Sequence, residues 1–290
     1  MSRFLVLLST LVPAPFLVIG SMASTQIGAT LAKSLFGQVG PLGVVALRVG
    51  LAAIMLMAWQ RPRLRGHSPA DYRLLISFGL SLATMNSLFY LSIARIPIGV
   101  SVAIEFSGPL MVALLHSRRW IDGLWVALAA VGIVLLSPLR TDNLDPWGVA
   151  FALLAGVAWG AYIVLSAQVG RLFKGSEGLA LSMAVGGLAL LPLGLAAEGW
   201  AMLKPPIVAL GLGVALLSSA VPYSLEMVAL RRLPVQVFGV LLSLEPAIAS
   251  TISFVGLGET LTAQMMVAIG LIMIAAAGVS FFQPKAVAET

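Results

Sequence analysis

Apolar residues run through this chain in blocks of about twenty, each closed by a short polar or Gly/Pro-rich break. A helix of about 20 apolar residues crosses the hydrocarbon core of a bilayer, whereas a barrel strand needs only about 10, with alternating polarity. The breaks mark spans at 12–34, 41–59, 72–93, 98–116, 122–139, 146–168, 177–197, 206–227, 236–256 and 263–283. The predicted fold class is an all-α integral membrane protein with ten transmembrane helices. The apolar stretch after Arg3 continues past Pro13 and Pro15 to Phe36, so it reads as the first span rather than as a cleaved signal peptide.

Composition reinforces this pattern: 60% of residues are hydrophobic and 10% charged, against about 25% charged in ordinary soluble domains. A net charge of +6 would point to nucleic acid in a soluble protein. Here Lys and Arg fall in the gaps between spans, which makes them an orientation signal. Of the 17, twelve lie on one side of the ten spans, including Arg3, Arg61, Arg118, Arg171, Arg231 and Lys285. Four, Lys33, Arg95, Arg140 and Lys204, lie on the other, and Arg48 lies inside a span. Both termini are therefore expected in the cytoplasm, with the chain in a bacterial inner membrane and no nucleic-acid partner.

Absences narrow the chemistry. There is no cysteine, and the two histidines, His67 and His116, border polar gaps, so neither a metal nor a cofactor is assigned. No Walker or Gly-rich phosphate loop occurs, and no gap is long enough for a soluble catalytic module. No paired Ser and His sits within the spans, so the chain is not read as an enzyme.

Sliding the sequence against itself by 137 residues lays Arg95-Ile96-Pro97 on Arg232-Leu233-Pro234, Pro109 on Pro246 and Asp122 on Glu259. Two repeats are expected, 1–140 and 146–285, joined through Arg140 to Pro146 with Asp142, Asn143 and Asp145. Five spans per copy is an odd number, so the second copy must be inverted, as in many secondary transporters.

Ionisable groups inside a span are costly unless they meet a partner or water, which makes them functional candidates. Arg48 and Glu105 lie at similar depth and are placed to pair. Pro109 cannot donate to the Glu105 carbonyl, and Pro246, beside Glu245, is expected to free that of Leu242 by the same kink. Glu226 and Tyr223 share Val221-Pro222-Tyr223-Ser224-Leu225-Glu226, where Glu226 either gates or pairs with Arg231 and Arg232. Asn86 with Tyr90, and Trp159 with Tyr162, share helix faces and offer polar groups to a solute, or serve only in packing. Gly156 and Gly160 have the spacing of a close helix contact.

These residues, with Leu31-Ala32-Lys33-Ser34-Leu35-Phe36, Ala46-Leu47-Arg48, Leu88-Phe89-Tyr90-Leu91-Ser92-Ile93, Glu105-Phe106-Ser107-Gly108-Pro109-Leu110, Pro222-Tyr223-Ser224-Leu225-Glu226-Met227, Glu245-Pro246-Ala247 and Leu257-Gly258-Glu259-Thr260-Leu261, carry a resemblance. The chain resembles EamA-type transporters of the drug/metabolite transporter superfamily, nearly end to end. The resemblance implies two inverted five-helix halves around a central cavity, and proton-coupled efflux of small amino acids such as L-threonine and L-homoserine. Its implied partners are the amino acid, protons and membrane lipid, and it leaves room for a homodimer. Export of other metabolites or drugs is the alternative; an intramembrane enzyme or lipid flippase is a more distant one.

On that reading Glu105 or Glu245 meets the ammonium, Arg48 the carboxylate, and Asn86 or Tyr90 the hydroxyl. Glu105, Glu245 and Glu226 are the candidates for proton coupling or gating.

Overall fold

A computed structural model describes residues 12–63, 66–116, 120–135, 144–173, 177–230, 232–233 and 241–282. Several sequence expectations lie outside these residues: the termini with Arg3 and Lys285, Arg65, Arg118, Arg119, Lys174, Arg231, Pro234, most of the linker with Arg140, Asp142 and Asn143, and the side chains of His116 and Asp122.

Among the described residues every regular element is helical. The elements are α1 (Ala14–Ser34), α2 (Pro41–Gln60), α3 (Pro69–Ile93), α4 (Ile98–Glu105), α5 (Ser107–His116), α6 (Trp120–Leu135), α7 (Pro146–Leu172), α8 (Glu177–Glu198), α9 (Pro205–Ala215), α10 (Val221–Leu230), α11 (Glu245–Leu257) and α12 (Ala263–Phe282). A 3₁₀ turn, Gly199–Leu203, precedes α9, and a π-helical turn, Leu216–Ala220, joins α9 to α10. Six stretches are long and apolar enough to cross a membrane: Ala14–Ser34, Pro41–Gln60, Pro69–Ile93, Pro146–Leu172, Glu177–Leu203 and Pro205–Glu226. The other four predicted spans overlap shorter apolar helices, Ile98–Val112, Gly123–Leu135, Glu245–Leu257 and Ala263–Gly278.

Proline sets many of the starts. α2, α3, α7 and α9 each begin on Pro, whose missing N–H is unneeded in a first turn and whose φ is already helical. Ser68 and Asp71 complete the start of α3 as a capping box: the Asp71 amide donates to Ser68 Oγ at 3.2 Å and the Ser68 amide to Asp71 Oδ2 at 2.8 Å. At the other end of α11, Gly258 takes a left-handed φ of 66°, turning the chain so that Glu259 leaves the helix axis.

Two predicted spans are broken rather than continuous. The span 98–116 stops at Glu105, turns at Phe106 and resumes at Ser107. In the span 236–256 a turn at Ser243–Leu244 precedes a fresh helix that begins on Glu245. Pro246 therefore does not kink a running helix over Leu242, as expected; it occupies the first turn of α11, where it costs no hydrogen bond.

Helices pack as follows: α2 on α8, α6 on α12, α3 on α7, α1 on α10, α5 on α7, and α1 on α11. Small residues let backbones meet. A Cβ on Gly108 would strike the carbonyl oxygen of Gly156, and one on Gly156 would lie 2.7 Å from that of Glu105. With Gly160, whose Cβ would sit 3.1 Å from Val112, these glycines form the seam of α5 against α7, as their spacing predicts.

Candidate functional site

Pro222 organises the polar centre. Having no N–H, it cannot donate to the carbonyl of Ser218 four residues back, and the chain takes the π turn in which Val221 N–H reaches Leu216 O. The vacated carbonyls are filled from other helices: Ser24 Oγ donates to Leu217 O at 2.7 Å, and Arg48 Nη2 donates to Ser218 O at 2.7 Å. Arg48 Nε adds a bond to Ser219 Oγ at 3.1 Å, and its guanidinium lies 5.4 Å from the Tyr90 ring centre. At 5% exposure this is a buried charge held by oxygen acceptors and an aromatic face.

The expected Arg48–Glu105 ion pair is not among those the described residues form. Equal depth placed the two residues on one level without placing them on facing sides, and the freed carbonyl of Ser218 claims the guanidinium. Glu105 is buried at 7% exposure, with no hydrogen bond or ion pair to its carboxylate among the described residues. It nevertheless lies within electrostatic range of both Arg48 and Glu245.

Glu245 opens α11, where the amide dipoles favour an acid. Gln26 of α1 donates through Nε2 to Glu245 Oε1 at 3.1 Å. Glu226 accepts from Ser21 Oγ at 2.7 Å. Its expected salt bridge with Arg231 or Arg232 fails for Arg232, which donates instead to the Val12 carbonyl at 3.1 Å; Arg231 lies outside the described residues. Glu226 is within electrostatic range of Glu245, Tyr162 and Tyr223.

The neutral candidates divide. Asn86 donates to the Leu82 carbonyl at 2.8 Å and also meets the Tyr223 hydroxyl. Tyr90 is fully buried, its ring 5.9 Å from Phe36, and its hydroxyl has no hydrogen-bond partner among the described residues. Tyr162 packs on Phe78 at 5.1 Å while lying near Tyr223. Trp159 meets Phe106 edge-on at 5.1 Å, bracing the break between α4 and α5. The site thus gathers Arg48, Asn86, Tyr90, Glu105, Tyr162, Tyr223, Glu226 and Glu245, with Trp159 at its margin. Gln26, Ser21, Ser24, Ser218 and Ser219 complete it, and sequence reasoning missed them all. No His, Asp and Glu grouping of metal-binding form occurs among the described residues.

Away from this centre, Lys33 at the end of α1 binds Glu259 Oε1 at 2.5 Å and the Ile96 carbonyl at 3.3 Å. Glu259 Oε2 accepts from the Ile98 amide at 3.0 Å, capping α4.

A paired interruption of helices beside buried carboxylates is the arrangement found at secondary-transporter sites. Residues 146–281 match the family model described as the EamA-like transporter family. Over 262 residues, 89% of this chain and 88% of the relative, the sequence is 47% identical to the threonine/homoserine exporter RhtA of Escherichia coli (strain K12). The chain belongs to the EamA-like transporter family. It is 46% identical, over the same shares, to the exporter of that name from Salmonella typhimurium (strain SL1344). A solved crystal structure with a TM-score of 0.59 and 18% identity covers 92% of this chain and 95% of its own, and shares the fold. As an EamA-like transporter the protein is a multi-pass membrane protein that moves a small molecule and is not an enzyme.

Proposed function

We propose that the protein exports small hydroxylated amino acids, L-threonine and L-homoserine, across a bacterial inner membrane in exchange for protons. The observation that carries the reading is the charge balance of the site: Glu245 lies within electrostatic range of Glu105 and Glu226, and Arg48 is the cation within range of Glu105. Three carboxylates beside one guanidinium cannot all stay charged away from water, so the cluster calls for protons or an ammonium group. The identity to exporters named for threonine and homoserine supports the substrate.

Arg48 receives the substrate carboxylate through the donors it now gives to Ser218 and Ser219. Glu105 and Glu245 hold the ammonium in turn with a proton, and Asn86 or the free Tyr90 hydroxyl meets the substrate hydroxyl. Protonation from outside weakens the hold on ammonium and releases the amino acid outward. Glu226 gates with Tyr223.

Ten crossings in two inverted copies, 1–140 and 146–285, form the scaffold, with both termini cytoplasmic. Packing supports this: shifting by 137 residues exchanges α1 with α7, α2 with α8, α3 with α9–α10, α5 with α11 and α6 with α12. Under that exchange α2·α8 and α6·α12 map onto themselves, α3·α7 maps onto α1·α10, and α5·α7 onto α1·α11. The turn at Phe106 likewise corresponds to the one at Ser243.

Efflux of labelled L-threonine and L-homoserine from preloaded cells tests the function. Faster efflux with the protein, stopped by collapsing the proton gradient, supports it; no difference in cells with confirmed insertion sinks it.

A further inference from the structure

The face of α1 that looks at α11 carries Gln26 and, one turn on, Thr30. Gln26 is 2% exposed and spends an amide hydrogen on Glu245, yet its own Oε1 is buried with no partner among the described residues. Thr30 sets its methyl against Gly256 of α11, where a Cβ would lie 2.7 Å from it. Gly256 is eleven residues beyond Glu245, roughly 16 Å by helical rise, so Thr30 stands away from the carboxylate and it is the Gln26 oxygen that lies beside it.

Leaving such acceptors dry costs stability, so native chains keep them chiefly where something else will donate. Among the described residues the two nearby cations are spent elsewhere. Arg48 is committed to Ser218 and Ser219, and Lys33, further along the face, to Glu259 and Ile96. A primary ammonium fits. It has three N–H donors, of which two meet Glu245 and Gln26 Oε1.

We propose that Gln26 and Glu245 together form the seat of the substrate's ammonium group. The assignment rests on the amino-acid reading above and goes beyond it, giving a part in substrate binding to a residue that carries no charge. It makes Gln26 a substrate ligand rather than a brace for Glu245.

The test is counterflow of labelled L-threonine, L-homoserine and L-alanine by purified protein in proteoliposomes, with thermal stability measured alongside. Gln26→Met should raise KM for all three about tenfold, as expected for a hydrogen bond to a charged group, with Vmax held within about twofold. Thr30→Val, on the same face of α1 but away from that seat, should leave KM unchanged for all three. If Gln26→Met folds poorly, Gln26→Asn, which withdraws the oxygen by one methylene, should still raise KM without loss of stability.

An unchanged KM in a folded Gln26 variant overturns the proposal. So does a Na⁺ requirement of the wild type that Gln26→Met abolishes, which would make this an alkali-cation site. A wild-type protein that carries none of the three amino acids overturns the amino-acid reading itself, and this seat with it.

Discussion

Lys33 and Glu259 stand 2.5 Å apart, joining the end of α1 to the turn after α11, and the same carboxylate caps the first amide of α4. Both side chains are partly exposed, 23% and 13%, so the pair itself is worth about 1 kcal/mol. Glu259→Ala should cost more stability than Glu259→Gln, because glutamine keeps an oxygen for the Ile98 amide. Lys33→Met combined with Glu259→Gln should cost less than the two single changes summed, measured as Tm of the detergent-solubilised protein.

Arg48→Lys tests the guanidinium. An ammonium cannot reach a carbonyl and a hydroxyl in the planar fork that Ser218 and Ser219 now receive. Threonine efflux at subsaturating substrate should fall about tenfold or more, and Arg48→Met should abolish it.

Glu105→Gln removes an ionisable group that has no hydrogen bond or ion pair among the described residues, so stability should change little. Transport driven by a proton gradient should be lost, while exchange of threonine for threonine at equal pH persists. Loss of both activities together would assign Glu105 to binding alone. Retention of both would make it structural.

The glycine seam predicts a split among similar substitutions. Gly108→Val and Gly156→Val drive a side chain into facing backbone carbonyls and should prevent stable insertion or cost several kcal/mol. Gly170→Ala and Gly270→Ala, with nothing within 4 Å, should be neutral or gain up to about 1 kcal/mol from helix propensity. Yield and Tm of the purified variants separate the two groups.

Asp145, ahead of α7, accepts from Arg95 at 2.9 Å and from the Trp147 amide at 2.8 Å. The Arg95 bond first, then that amide, hold its carboxyl below the ordinary range. Its stabilising contribution is therefore complete above the ordinary carboxylate pKa and is lost as pH falls through the lowered folded value. Asp145→Asn should lower Tm slightly at pH 7, with the difference closing as pH falls below the ordinary carboxylate range.

The charged part of the site was legible because an ionisable residue in an apolar run must be explained, which drew attention to Arg48, Glu105, Glu226 and Glu245. The uncharged part was not. Ser, Thr and Gln bond back to a helix at little cost, so Ser218 or Gln26 looks like any other polar residue in a span. Depth along a helix could be counted, and it put Arg48 level with Glu105; rotation about the helix and the choice of facing neighbour could not. The prolines signalled interruption correctly but not its form. Pro246 sits at a helix start, a position its preference for first turns would have suggested. Pro222 produced a π turn whose loose carbonyls recruited Arg48 and Ser24.

That missing N–H at Pro222 has a mechanical corollary. Straightening the π turn into regular helix would not supply the Ser218 carbonyl with a donor, because the residue that ought to provide one has none. In a regular helix the carbonyl would still look to the guanidinium of a different helix. On the proposed transport cycle, parting α2 from the π turn in an empty carrier would strand both dipole and charge at once, whereas a bound carboxylate can take the arginine and water entering with it can take the oxygen. The proline would then act as a ratchet tooth, discouraging strokes that carry no cargo.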